Sequence, residues 1–270
     1  MAIDLNKIKS RLNSLTQTNQ RANVQWKPSP GTQQVRIVPY KFNPDNPFIE
    51  LHFHYNINNR TYLSPSSFGR PDPIVEFAEK LKKTGDQDDY RMGRSLMPKM
   101  RTFVPVIVRG EENEGVKFWG FGKEVYQELL SFIADPDYGD ITDPKEGRDI
   151  TIEFLTAEEA NRTYPKTNIR VKPNKSVVST DKNVIKLIGE SQKEITSVYE
   201  ELSYDDLKEV LEKWINGEEE GGNTGEASES SSEGSASEPS DQPESASKET
   251  TDSVKDPEDV AAAFEDLFKN

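Results

Sequence analysis

Residues 49 to 57, I-E-L-H-F-H-Y-N-I, alternate without a break: Ile49, Leu51, Phe53, Tyr55 and Ile57 are apolar, with Glu50, His52, His54 and Asn56 between them. Successive side chains of a strand point to opposite faces, so a period of two specifies a strand with one buried face. Asn58-Asn59 then provides a tight turn into R-T-Y-L, closing a hairpin. Strand signals recur at Q-V-R-I-V-P-Y (34 to 40), at R-T-F-V-P-V-I-V-R and G-V-K-F-W-G-F around the loop G-E-E-N-E-G, and at D-I-T-I-E-F-L-T and N-I-R-V-K-P. Helices interrupt this pattern. Asp72-Pro73 is an N-cap and N1 pair for a helix through about Lys83, a second runs from about Lys123 to Ile133, and a third spans Ser203 to Ile215 before Gly217. Short hairpin strands with helices added predict a mainly β chain with helices, α+β in class, built on a small, partly open barrel with additions.

Charge divides the chain sharply. Residues 217 to 270 hold 16 acidic and 3 basic residues, so they carry -13 of the formal -14, whereas residues 1 to 216 hold 31 basic against 32 acidic. The body is nearly neutral and the terminus is a polyanion, the asymmetry of an interaction tail. From 217 to 255 the residues are mostly Gly, Ser, Glu and Pro, with almost nothing to bury, and this linker is expected to be disordered. From 256 to 270 an apolar stripe returns, with Val260, Phe264, Leu267 and Phe268 on an acidic helix that includes Glu265 and Asp266. This reads as a protein-docking helix, the alternative being a terminal helix folded back onto the body. At the other end, Leu5, Ile8, Leu12 and Leu15 recur at helical spacing behind Asp4, while Lys7, Lys9 and Arg11 face elsewhere. Residues 1 to 20 are thus a basic amphipathic arm that packs on its own domain or on a neighbour.

The absence of cysteine excludes disulfides, thiolate zinc sites and a cysteine nucleophile. No run of 18 apolar residues occurs and the first residues lack the apolar centre of a signal peptide, which predicts a soluble, intracellular protein without a membrane partner.

The candidate site emerges from strand alternation. Arg101 shares a face with Phe103, and Lys117 shares one with Trp119 and Phe121, while Val104, Val106 and Val108 take the opposite face of their strand. Arg36 lies opposite Val35 and Ile37, and Arg170 and Lys172 lie opposite Ile169 and Val171. Four strands are therefore expected to place cations, two of them with aromatics, away from the core. Residues 162 to 186 add seven basic residues against one acidic, with Tyr164 and Lys166 among them. Cations that follow phosphates and rings that stack on unpaired bases are what single-stranded nucleic acid requires. The competing interpretation makes Phe103 and Trp119 core residues and the cations a solvated face.

Other motifs are weaker. His52 and His54 stand at i,i+2 on the polar face of one strand, suitable for two metal ligands but lacking further nitrogen or sulfur donors; a solvated strand face is the expectation. The stretch from Asp135 to Glu146 approximates a calcium loop, but its glycine stands at position 5 instead of 6 and Pro144 is misplaced, so it reads as an acidic turn. Walker, nucleophile-elbow, H-E-x-x-H and dinucleotide motifs are absent, and no catalytic residue is assigned.

The run K-M-R-T-F-V-P-V-I-V, followed by E-N-E-G and K-F-W-G-F-G-K, together with a strand ending R-I-V-P, the basic arm and the acidic F-E-D-L-F terminus, resembles the single-stranded DNA-binding, helix-destabilising proteins of T-even-type bacteriophages. The resemblance covers most of the body and weakens over 135 to 215. It implies an OB-fold core at 21 to 216 with a subdomain at about 58 to 98, acting in replication, recombination and repair in the cytoplasm of an infected bacterial host. It implies that Arg36, Arg101, Phe103, Trp119 and Tyr164 line a cleft for single-stranded DNA. It also implies cooperative self-association through the arm, where K-I-K-S-R carries Lys7, Lys9, Ser10 and Arg11, and recruitment of a polymerase, helicase loader and recombination mediator by the acidic tail. The family's zinc is held by one histidine and three cysteines. Here only His54 can persist, so no cofactor is expected, and Phe68, Ile74, Val75 and Phe77 are expected to hold the subdomain instead. Two rival functions remain: an acidic adaptor or scaffold without nucleic-acid binding, and a metal-dependent nuclease using Asp86, Asp88 and Asp89 or Asp135 and Asp137.

Overall fold

The computed structural model describes residues 23–217 together with 264, 265, 267 and 268. Lys7, Lys9, Ser10, Arg11, Asp266 and the acidic linker lie outside the described residues. Among the described residues, eight strands and five complete helices follow one another as β1 (Gln25–Trp26), β2 (Gly31–Ile37), β3 (Ile49–Ile57), β4 (Arg60–Leu63), α1 (Pro73–Lys83), α2 (Gln87–Leu96), β5 (Lys99–Val108), β6 (Lys117–Phe121), α3 (Lys123–Ala134), β7 (Ile150–Leu155), β8 (Lys166–Val171), α4 (Lys182–Glu190) and α5 (Tyr204–Ile215). The chain divides into two compact units, one drawn from Met1–Leu51 and Met100–Glu200, the other from His52–Lys99 and Glu201–Asn270.

The first unit is a mixed sheet in the order β1-β6-β5-β2-β7-β8, with β1 parallel to β6 and the other neighbours along this path antiparallel. This is an α+β arrangement consistent with an OB-like core. Val35 and Ile37 of β2, Val104 and Val106 of β5, Ile150 and Ile152 of β7 and Ile169 of β8 form its interior, sealed on one side by Val125 and Leu129 of α3. The strand residues come from alternate positions, so the period-two pattern builds the sheet side of this core, and Val125 and Leu129 share a helix face at i and i+4.

The second unit packs α1 against α2 and α5, with Ile74, Phe77 and Leu81 meeting Leu207, Leu211 and Ile215. Its helix ends are specified locally. Asp72 caps α1, its Oδ1 accepting from the backbone N–H groups of Ile74 at 2.9 Å and Val75 at 3.2 Å, with Pro73 at the first helical position. Ser203 and Asp206 form a reciprocal capping box on α5. The β3–β4 hairpin turns through Asn58 and Asn59, whose φ values of 50° and 57° are the left-handed conformation that asparagine tolerates. Helices α1 and α2 approach closely at Gly93, where a Cβ would stand 2.5 Å from the Ala78 carbonyl oxygen.

Of the residues expected to hold this unit, Ile74 and Phe77 are fully buried and Val75 is half-buried. Phe68 is exposed and lies under the Arg70 guanidinium at 5.0 Å, because it ends a short 3-10 turn instead of facing the helices. The described terminal residues belong to this unit: Phe264 is buried in the α1–α5 cluster, and Leu267 and Phe268 pack on it. That is the folded-back arrangement for these residues.

Candidate nucleic-acid interface

The register of β5 against β6 decides which side of the sheet each candidate occupies. Val104 pairs with Trp119, Thr102 with Phe121 and Val106 with Lys117, and directly opposed residues share a face. Trp119 and Phe121 therefore point inward with the valines, at 1 % and 3 % exposure, with ring centroids 4.5 Å apart. Their expected place beside Arg101 and Phe103 on the outward face is corrected by this pairing. Lys117 is also tied down, its Nζ donating to the Asn23 carbonyl at 3.1 Å and lying 3.4 Å from Glu114.

Phe103 pairs with Gly120 and does take the outer face. It is nevertheless buried, because residues downstream fold across that face. Its ring lies 5.7 Å from Tyr199, whose hydroxyl accepts from the Gln25 side chain. Gly120 makes room for it, since a Cβ there would stand 2.8 Å from the Phe103 ring and 3.1 Å from Arg101 Nε. Arg101 runs beside this ring and donates from Nη2 to the Gly120 carbonyl at 3.0 Å. Farther along the face, Ile107 packs with Val116 and Val178, while Tyr40 meets Phe118 edge-on at 5.8 Å. The outer face of this end of the sheet is thus a second apolar layer.

Arg36 lies on the outer face, opposite Ile107, and is completely buried. Its Nε donates to Asp149 at 2.9 Å, its Nη1 to the Ser176 carbonyl at 2.9 Å and its Nη2 to the Ser176 hydroxyl. Burial pulls its pKa down while the Asp149 carboxylate works to hold it up. Arg109 shares the same carboxylate at 2.7 Å and donates to the Val178 carbonyl at 2.7 Å. Two guanidiniums thus pin the 176–178 segment to the sheet, and Arg36 is a structural clamp instead of an open phosphate contact.

The opposite end of the sheet is open. Edge strand β8 faces Lys166 and Arg170 outward and buries Ile169 and Val171, as alternation predicts. Arg170 is exposed and makes no ion pair among the described residues. Lys172 sits one position beyond the strand, its Nζ donating to Gln34 Oε1 at 2.8 Å. Tyr164, 43 % exposed, stands on the loop that leads into β8. The structure therefore brings Tyr164, Lys166, Arg170 and Lys172 together along one edge, and separates them from the enclosed Phe103, Trp119 and Phe121.

Two features escaped the sequence reading. Phe42 is 50 % exposed with Lys41 Nζ 6.0 Å from its ring centroid; its only signal was an aromatic in the polar run K-F-N-P-D-N-P. Tyr199, which covers Phe103, carried no signal, being 96 residues away in sequence.

In the second unit His54 is fully buried, correcting its expected place on a solvated strand face. Its Nδ1 donates to the Leu96 carbonyl at 2.7 Å and its Nε2 to Asp72 Oδ2 at 2.9 Å, while Ser64 Oγ donates to the same oxygen at 2.5 Å. Burial pushes the Asp72 pKa up, but the His54 contact, the Ser64 hydroxyl and a backbone N–H outweigh it and leave the net shift downward. This centre does not fit the family's zinc. Both imidazole nitrogens are already committed, thiolates are lacking, and no group of three His, Cys, Asp or Glu able to hold a metal occurs among the described residues. The stretch from Asp135 to Glu146 is likewise closed by its own backbone, with Asp143 Oδ1 accepting from the N–H groups of Lys145 and Glu146 at 2.6 and 2.8 Å. Those bonds hold the Asp143 pKa below its ordinary value.

An α+β body with a basic, aromatic-flanked sheet edge defines a binding module. Residues 29–215 match the family described as gp32 DNA binding protein like, and the chain belongs to that family of DNA-binding proteins, which are not enzymes. It is a single-stranded DNA-binding protein in the general sense of that family. No curated protein matches the chain.

Proposed function

We propose that this protein coats single-stranded DNA during phage replication, recombination and repair in the cytoplasm of an infected bacterium, without a cofactor. The observation that carries the reading is the outward row of Lys166, Arg170 and Lys172 on and just past β8, with exposed Tyr164 at its head, inside the family-matched region. Cations at strand spacing follow a phosphate backbone, and an adjacent exposed ring accepts a base. Arg101 contributes from the half-buried side of the sheet. The arm residues Lys7, Lys9, Ser10 and Arg11 make binding cooperative by contacting the neighbouring copy, and the acidic tail competes with DNA and recruits a polymerase, a helicase loader and a recombination mediator. Melting of duplex then needs no catalysis, since preferential binding to single strands shifts the equilibrium by mass action.

The test is anisotropy of labelled oligo-dT and of a labelled duplex, each at two salt concentrations, with the full chain and with residues 217–270 removed. The proposal expects saturable single-strand binding, weaker duplex binding, loss with salt and tighter binding without the tail. No binding by either chain at low salt would leave an adaptor role in its place.

A further inference from the structure

The apolar seam between α1 and α5 is filled by a segment that lies far along the chain. Phe264 follows α5 by 48 positions, counted from Asn216, yet is only 3 % exposed. Its ring meets Phe77 of α1 edge-on at 6.1 Å and Phe268 at 4.8 Å. Helix α5 supplies the other wall through Leu207 and Leu211, with Val210 and Trp214 packed alongside. Lys208 engages the far end of the segment, its Nζ donating to the Phe268 carbonyl at 3.2 Å and lying 4.8 Å from the ring centroid. Phe264, Leu267 and Phe268 stand at i, i+3 and i+4, one face of a helix.

Charge adds to the fit. Residues 256 to 270 carry five acidic residues and one basic, and the lysine that receives the segment is on the groove. A cation at the last carbonyls of a helix complements its dipole as well as the acidic side chains. These are the elements of helix-in-groove recognition, with apolar anchors providing affinity and a polar rim providing orientation.

We propose that the groove between α1 and α5 is a docking site for an acidic amphipathic helix with apolar anchors at i, i+3 and i+4. Its occupant is this chain's own Phe264-Leu267-Phe268 face, held exchangeably. Docking removes these three side chains from any other protein that would bind them, so a partner recruited by the terminus must first draw it out of the groove. Because the segment is covalently attached, its effective concentration at the groove is far above that of the protein itself, and a weak intrinsic affinity suffices to keep it docked. The inference stands apart from the nucleic-acid reading, since no residue of the first unit takes part.

The cysteine-free sequence allows a direct test. A bimane fluorophore on Asn270→Cys in the full chain, two positions past Phe268 in sequence, reads docking through contact quenching by Trp214, which packs on the groove. The proposal expects quenching that is independent of protein concentration and absent with Trp214→Phe. It further expects a several-fold rise in emission when a free peptide of residues 256–270 is added at millimolar concentration, and the same rise with Phe264→Ala plus Phe268→Ala. Quenching that grows with protein concentration would assign the segment to the groove of a second copy and overturn the occupant. Quenching that the peptide does not relieve would make the segment a fixed part of the fold, and no quenching at all would remove the docking; either refutes the proposal. Oligo-dT binding by the same labelled chain reads the nucleic-acid function separately, so the two conclusions fail independently.

Discussion

Replacing Asp72 with asparagine isolates the charge at the centre of the second unit. Asp72 does two jobs with two oxygens: Oδ1 caps α1, and Oδ2 accepts from His54 and Ser64. Asparagine keeps the cap, because its carbonyl oxygen can accept from the same backbone groups. Its amide nitrogen then faces two donors, leaving His54 buried against an N–H where it had a carboxylate. Each buried donor left without its acceptor costs about 1–3 kcal/mol, so the two together cost about 2–6 kcal/mol. A penalty of that size, at about 4–8 °C per kcal/mol for a small domain, lowers the transition of this unit by at least about 8 °C. Hydrogen exchange at the α1 amides is the suitable assay, since it reads this unit without assuming that the whole chain unfolds in one step. The pH dependence supplies a second readout. The folded pKa of Asp72 lies below its unfolded value of 3.8, so its contribution is fully present above that value and is lost as pH falls through the lower, folded pKa. The wild-type unit should therefore weaken progressively below about pH 4, and Asp72→Asn should remove that acid limb. If the variant's α1 amides exchange as slowly as the wild type's at pH 7, the pair does not hold the unit and the reasoning fails.

Three other outcomes follow from the open and enclosed residues of the first unit. Tyr164→Ala should weaken oligo-dT binding by about 1–3 kcal/mol, the usual range for one stacked base, with the urea midpoint unchanged. Arg36→Met should do the reverse, costing about 1.5–3 kcal/mol in urea denaturation, the range for a hydrogen bond to a charged group, because Asp149 keeps Arg109, while single-strand affinity changes less than about twofold. Lys166→Gln with Arg170→Gln should lower the slope of log affinity against log salt by about 1.4, two phosphate contacts at roughly 0.7 each; an unchanged slope would take the β8 edge out of the interface.

Much of the fold was legible because its signals are local. Asp72-Pro73 and the Asn58-Asn59 turn each act within four residues and appear in the structure where the pattern placed them, and the helix expected from Ser203 to Ile215 is present with Ser203 as its cap. Helix α2 was not legible, since Q-D-D-Y-R-M-G-R-S-L offers only Met92 and Leu96 as apolar anchors and buries a glycine against α1. The site was legible only in part. Alternation fixes which residues of one strand share a face, but pairing register fixes which faces of two strands coincide, and a shift of one residue exchanges Trp119 for Gly120 opposite Val104. Burial of polar groups was equally hidden, because the carboxylates that bond Arg36 and His54 lie 113 and 18 residues away.

Phe103 carries the remaining question of where bases stack, and Tyr199 is the residue that answers it. With Tyr199 against it, Phe103 is 2 % exposed, so a base could reach it only after that ring pair opens. An aromatic pair of this geometry contributes about 0.5–1.5 kcal/mol beyond its buried area. If DNA had to break it, that energy would be subtracted from the observed affinity, and Tyr199→Ala would return it as tighter binding of about 2- to 12-fold. If stacking belongs instead to the exposed Tyr164, the energy never enters the binding equilibrium and affinity stays within about twofold of wild type. The enclosed Phe103 and the open β8 edge favour the second outcome, and the two are separable in one titration series with Tyr164→Ala as the reference. Binding that tightens more than threefold in Tyr199→Ala would move the base platform to Phe103 and Arg101, and would make the segment carrying Tyr199 a cover that DNA displaces.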